Sequence, residues 1–205
     1  RGKYFFQMET QKQKQRCEWP GANPLMIEYH DKEWGTPTRD DQRLWEYLVL
    51  DTFQAGLSWQ IILNKRENFR GALHNFNAKR IAFYGNTDVK RLLKDEGIIR
   101  NRLKINGVVT NAQKFLEVQK EFGSFANYIW GFTGNKTVLG NVKSLKELRA
   151  TSPESDKMSV DLKQRGFKFV GSTICYAFMQ GAGLVNDHTT SCFRHGEIKA
   201  LARRK

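Results

Sequence analysis

Cysteine is scarce in this chain: three in 205 residues, at positions 17, 175 and 192. So few cannot make a disulfide scaffold, which points to a reducing compartment and leaves a metal role open. Long apolar runs are missing too. Nothing approaches the ~18 consecutive apolar residues of a membrane span, and no secretory signal pattern is visible. Acidic residues are in deficit, with 21 Asp and Glu against 34 Lys and Arg, a formal charge of +13. Such a balance favours a polyanionic partner, most simply nucleic acid. No segment alternates with period two, there is no internal repeat, and no tract of low complexity follows the N-terminus. The expectation is an all-α domain, long enough for one sizeable core.

What is present in quantity is aromatic: five Trp, six Tyr and 14 Phe. Most must fill a core, and a few can stack on bases. Residues 1–16 are polar after a short aromatic run and are set aside as a disordered or expression-derived segment, with residues 1–7 possible leftovers and Met8 a natural start. Residues 17–205 are read as a single domain that two lobes could compose. The stretch 17–35 (CEWPGANPLMIEYHDKEWG) is rich in turn formers and carries Cys17, Trp19, Tyr29, His30 and Trp34.

From Asp40 or Asp41, both good N-caps, a helix should run to about Gln54. Its apolar row of Leu44, Tyr47 and Leu48 arrives at Asp51. A carboxylate on a core-facing stripe costs free energy unless a cation or hydrogen bond compensates it. Gly56 should end that helix and Ser58 cap the next, which carries Trp59, Ile62 and Leu63. Leu57 between them could wedge into a base stack or fold back into the core. Further helices are expected over Ala78–Phe83, from a Thr87 cap through Leu93, over Ile98–Glu121 and over Phe125–Trp130. The stretch 131–142 reads as an irregular loop, and Ser152-Pro153 as a helix start. The terminal RHGEIKALARRK reads as frayed or surface-bound.

The chain is organised around residues 161–192, DLKQRGFKFVGSTICYAFMQGAGLVNDHTTSC. Gly166 and Gly171 bracket a hairpin between two helices, and Gly171-Ser172-Thr173 opens the second. Free N–H groups at a helix start favour an anion such as a DNA phosphate. With the neighbouring Lys168 and the Gly56–Leu57 turn, these residues are the candidate DNA contacts. Cys17 and His30 are separated by twelve residues, His188 and Cys192 by three. The close pair suits zinc and the wide pair does not, so spacing leaves a metal site and four ordinary buried residues both open. Cys175 is assigned to the core; His74 and His195 receive no role.

Four segments, CEWPGANPLMIEYHDKEWG, LDTFQAGLSWQIILNKRENFR, DEGIIRNRLKINGVVTNA and RGFKFVGSTICYAFMQGAGLVNDHTTSC, resemble the bacterial 3-methyladenine DNA glycosylase I (Tag-type) family. The likeness runs from about Cys17 to Cys192. It implies a helix-hairpin-helix glycosylase fold that excises N3-methyladenine from alkylated double-stranded DNA. It also implies one structural zinc ion held by Cys17, His30, His188 and Cys192, clamping the chain ends together. By the same resemblance Trp59, Tyr29, Asp51 and Trp19 form the base site, with Asp51 and Tyr29 as the catalytic candidates. The family usually has Glu where this chain has Asp51, and often Tyr where it has Met26.

Ser172 and Thr173 stand where lyase-active relatives place a lysine, which implies a monofunctional enzyme that leaves an abasic site. Asp187 adjoins a proposed zinc ligand and is expected to support it rather than to act as the superfamily's catalytic aspartate. The resemblance further implies a monomer in the bacterial cytoplasm, associated with the nucleoid and with no membrane. A DNA-binding module without excision, and a glycosylase with shifted N3-alkylpurine preference, are the competing readings.

Overall fold

The structure is a computed structural model that describes residues 14–203. The N-terminal expectation for residues 1–13 therefore lies outside the described residues. Residues 14–16, grouped with that segment on sequence, pack on the domain: the Gln15 carbonyl accepts from the Phe193 amide, and Arg16 pairs with Asp31 at 2.8 Å.

Eleven α-helices are described. They are α1 (Pro24–Lys32), α2 (Asp41–Gln54), α3 (Trp59–Asn64), α4 (Arg66–Ala72), α5 (Ala78–Ile81), α6 (Asn86–Lys94), α7 (Arg102–Phe122), α8 (Phe125–Gly131), α9 (Pro153–Gln164), α10 (Ser172–Gly181) and α11 (Phe193–Leu201). Local chemistry sets several of the starts. Asp40 accepts from the Arg43 amide, Ser58 from that of Ile61 and Ser152 from that of Ser155, each covering a donor that the first helical turn leaves free.

Three sequence expectations need correction. Thr87 is not a cap: α6 begins at Asn86, and the Gly85 amide donates to Asp88. Ile98 precedes rather than opens α7, whose cap is Asn101. The loop at 131–142 contains a two-residue strand, β1 (Val138–Leu139), parallel to β2 (Val185–Asn186), so the fold is mostly rather than wholly helical. Of the two alternatives for the C-terminal stretch, frayed or packed on the surface, the packed one holds. It forms α11, with Arg194 and Ile198 buried.

The centre of the molecule is α2. Its residues from Leu44 to Phe53 are all buried, because α3, α7, α8 and α10 pack around it. A main apolar cluster gathers α2, α7, α8, α9 and α10. A second, smaller one joins Cys17, Met26, Tyr29, Trp34, Leu63 and Cys192. The second cluster ties the two ends of the described chain together, and the candidate site lies where it meets the first.

Candidate active site

Two adjacent residues of α1 face two different tasks. Asn23 caps the helix by accepting from the Leu25 and Met26 amides, and Pro24 fixes its first turn. One turn on, Tyr29 lines a cavity while His30 enters a buried group with Cys17, His188 and Cys192. The four donor atoms of that group lie within 4.8 Å of one another. His188 Nδ1 is 3.6 Å from each sulfur, Cys192 Sγ is 3.6 Å from His30 Nε2, and the two imidazole nitrogens are 3.2 Å apart. A tetrahedral ion with two sulfur and two nitrogen donors sets its ligand atoms roughly 3.3–3.8 Å apart.

The outer ring nitrogens identify what the inner ones present. His30 Nδ1 faces the Asp31 carboxylate at 2.8 Å, and His188 Nε2 faces the Trp34 carbonyl at 2.9 Å. Both outer partners are acceptors, so each ring carries its proton on the outside and turns a lone pair inward. Two inward lone pairs beside two sulfurs form a donor set that could hold a metal ion. The Cys192 thiol is pushed down, most of all by the neighbouring Cys17 thiol. The Cys17 thiol moves up for the matching reason, reinforced by burial.

The cavity beside this cluster has a volume of ≈ 210 Å³. It brings together all four residues expected at the base site: Trp19, Tyr29, Asp51 and Trp59. The Tyr29 and Trp59 rings meet at 5.1 Å, and Trp19 sits against Trp34 at 5.0 Å and His30 at 5.4 Å. The aromatic wall thus rests directly on the metal-ligand group. Met26 is buried with Tyr29 in the smaller cluster and does not line the cavity.

Asp51 makes no side-chain hydrogen bond and no ion pair among the described residues. Burial pushes its carboxyl well above the usual carboxylate range. Tyr29 is raised as well, first by burial and then by the neighbouring Tyr47 and Asp51. The indole Nε1 atoms of Trp19 and Trp59 are buried without partners. Trp34, Gln54, Leu148, Ala177 and Gln180 complete the lining. Sequence reasoning missed this role for them. Gln54 lies one helical turn beyond Asp51, a spacing that could have flagged it; Leu148 and Gln180 carry no such signal.

The second element expected to contact DNA is the turn between α9 and α10, two helices that pack on each other. Asn111, buried in the middle of α7, holds this turn from both sides. Its Oδ1 accepts from the Lys168 amide at 2.7 Å and its Nδ2 donates to the Lys168 carbonyl at 3.0 Å. Gly107, one turn earlier, leaves room for the Phe169 ring, which a Cβ there would meet at 3.0 Å. Gly166 takes a φ of +95°, as its place in a tight turn suggests, but Gly171 does not need glycine's freedom. Its φ is −62°, and the other positive-φ residue of the turn is Phe169.

Lys168 and Thr173 are exposed. The Ser172 hydroxyl is already committed, donating to Asp156 at 2.5 Å, so only its backbone is open to an anion. At the other turn, Gly56 is exposed with φ +78°, while Leu57 is half-buried against the main core. Lys104 clips this turn to α7 by donating to the carbonyls of Phe53 and Ala55 at the end of α2.

Asp187 corrects an expectation. Its carboxylate does not support the metal-ligand group; it accepts from the Tyr176 hydroxyl at 2.6 Å and from Gln180 Nε2 at 2.9 Å. Cys175 is buried in the core with its thiol directed at the Val170 carbonyl.

The sequence model of the methyladenine glycosylase family matches residues 19–195. DNA-3-methyladenine glycosylase 1 of Escherichia coli (strain K12) is 44% identical over 178 residues, covering 87% of this chain and 95% of the relative. DNA-3-methyladenine glycosylase of Haemophilus influenzae is 42% identical, covering 86% and 96%. Among solved structures, a crystal structure of 3-methyladenine DNA glycosylase I (TAG) superimposes with a TM-score of 0.85 at 47% identity, covering 87% of this chain and 98% of that one. The Staphylococcus aureus TAG structure that describes 3-methyladenine recognition gives 0.84 at 31% identity, covering 87% and 95%.

Proposed function

The chain belongs to the methyladenine glycosylase family, and on that footing we propose that the aromatic cavity holds an alkylated base extruded from DNA. The protein is a DNA glycosylase that hydrolyses the N-glycosidic bond of N3-methyladenine, a base excision repair activity. One observation carries the assignment of the site: Asp51, a buried carboxylate with no partner among the described residues, faces a cavity walled by tryptophan and tyrosine.

Alkylation at N3 makes adenine cationic and weakens the bond to the sugar, so the base departs neutral and needs little acid catalysis. The protein must instead extrude the nucleotide, at a cost of a few kcal/mol, and recognise the cation. Trp59 and Tyr29 offer ring faces, and a cation over an indole gains about 0.5–2 kcal/mol that neutral adenine does not. Asp51 adds Coulomb attraction in a dry site and accepts from the exocyclic amine. Asp51 and Tyr29 are the residues proposed to act on the reacting nucleotide, with Trp19 and Trp59 holding the base. Asp51 is a methylene shorter than the Glu usual in the family, and Met26 supplies no hydroxyl. With neither a longer carboxylate nor that hydroxyl, recognition rests on the charge at position 51 and on the rings.

Zinc is the ion we assign to Cys17, His30, His188 and Cys192. Four protein donors leave no open position, so its chemistry there is structural: it cross-links the first and last parts of the domain formed by residues 17–205. We read α9, its turn and α10 as a helix-hairpin-helix that grips the DNA backbone through Lys168 and the amides of Gly171, Ser172 and Thr173. The Gly56–Leu57 turn fills the vacated stack. No lysine follows Gly171, so the reaction is monofunctional and leaves an abasic site. In this reading the protein is a monomer acting on double-stranded alkylated DNA in the bacterial cytoplasm, at the nucleoid. No described helix is long and apolar enough to cross a membrane.

The direct test is chromatography of bases freed from DNA treated with a methylating agent, with Asp51→Asn assayed in parallel. The native chain should release N3-methyladenine and the variant about 100-fold less, the scale of losing a charge-stabilising contact. Tight, salt-sensitive DNA binding with no release would instead favour a binding module.

A further inference from the structure

Asp187 and Tyr176 do nothing in the reaction just described, yet they fix the orientation of a residue that does face the base. Gln180 lies on α10, which packs against the α2 that carries Asp51, and both side chains line the same cavity. An amide can present either its oxygen or its nitrogen, and a free glutamine would offer both. This one is constrained. Asp187 is 4% exposed, and its Oδ2 accepts from Tyr176 at 2.6 Å and from Gln180 at 2.9 Å. A carboxylate that receives a phenol proton has only acceptor capacity left, so the glutamine must turn Nε2 toward it. Its Oε1 is then an acceptor free for the cavity. Gly140 lies against the other carboxylate oxygen: a Cβ there would come within 2.5 Å of Asp187 Oδ1.

We propose that Gln180, aimed by Asp187, is the residue by which this site selects a 6-amino over a 6-oxo purine. The proposal rests on the glycosylase reading above. An exocyclic amine carries two N–H groups, and two acceptors, Asp51 and Gln180 Oε1, line the cavity to receive them. A 6-oxo purine presents an oxygen at the same place, and two acceptors facing it leave all three buried without donors. Gln180 is thus a specificity residue, and Asp187 a positioning residue that acts through it.

Methylated DNA contains both N3-methyladenine and N3-methylguanine, so one digest reports their ratio. In Asp187→Asn the new amide can donate to Gln180, which lets Gln180 reverse and face the base with Nε2. Release of N3-methylguanine relative to N3-methyladenine should rise about tenfold. A merely structural defect would lower both bases in the same proportion, and an unchanged ratio in a folded variant would overturn the proposal. Should Asp187→Asn lose its cooperative thermal transition, Gln180→Leu decides the matter. It removes the acceptor at similar volume, and should depress N3-methyladenine release while leaving that of N3-methylguanine; a native ratio would refute the assignment. Absence of both bases from the native digest would instead overturn the glycosylase reading itself.

Discussion

Two buried carboxylates sit on α2, five residues apart, and they have opposite surroundings. Glu46 accepts from Arg66 Nε and Arg70 Nη2, each at 2.8 Å, and Arg66 continues to Glu33, which also receives the Tyr47 hydroxyl. Asp51 has no such partner among the described residues, and burial alone moves its protonation. The outer side of the Cys17, His30, His188 and Cys192 group resembles the Glu46 end, since its outer nitrogens and Cys17 sulfur have partners, while its inward lone pairs face one another. Where the polar atoms of a buried site are matched within the chain, the site holds the fold together. Where a charged group is left unmatched at a cavity wall, its partner comes from outside. Unpaired indole nitrogens would not have made this distinction, because Trp45 in the core has one as well. The carboxylate does.

The largest change should come from breaking a matched site. Cys192→Ala removes a sulfur from the metal-ligand group, and the bound metal measured by atomic spectroscopy should fall from one per chain to none. The loss of stability should be about 3 kcal/mol or more, a shift of roughly 10 °C in thermal midpoint. Base binding should fail with it, since Trp19 and Trp34 lean on His30 and His188.

Stripping the Glu46 end comes next. Arg66→Met leaves Glu33 and Glu46 short of their shared cation, and should cost about 2–3 kcal/mol in urea titration. Arg70 still reaches Glu46, which keeps the cost below that of a fully stranded charge.

The smallest effect has the opposite sign. A carboxyl whose pKa is raised by folding binds its proton more tightly in the native state. Stability is therefore lost as pH climbs from the ordinary Asp value, about 3.9, through the raised one. Asp51→Asn has no proton to lose, so it should be about 1–2 kcal/mol more stable than the native chain at neutral pH. The two should converge near pH 4. Equal stability at both pH values would place a compensating partner beside Asp51 and erase the contrast between the ends of α2. Gained stability with lost excision is the expected signature of a residue kept for its ligand.

Much of this was legible in the residues themselves. The caps at Asp40, Ser58 and Ser152 act within four residues, so the starts of α2, α3 and α9 could be read directly. The heptad-spaced position of Asp51 marked it as an anomaly before any packing was known. The resemblance then gathered Cys17, His30, His188 and Cys192 into one group, which the wide first spacing alone could not do. Other features were hidden for a physical reason. The parallel pairing of β1 with β2 joins residues 138 and 185 through two bonded positions, too short to show a period. Asn111 looks like an ordinary polar residue of a long helix until the Lys168 backbone lies across it.

The sequence by itself determined the helical character of the chain, its basic charge, the caps and turns that divide it, and the residue types able to bind a cation or a metal. Those properties depend on neighbours within a turn or two. Only the tertiary structure decided which carboxylate would be satisfied and which would not, that Asp187 would hold Gln180 rather than a metal ligand, and that the aromatic wall would rest on the metal-ligand group. Each of these is settled by groups brought together from distant parts of the chain, and a partner more than one helical turn away leaves no mark in local spacing.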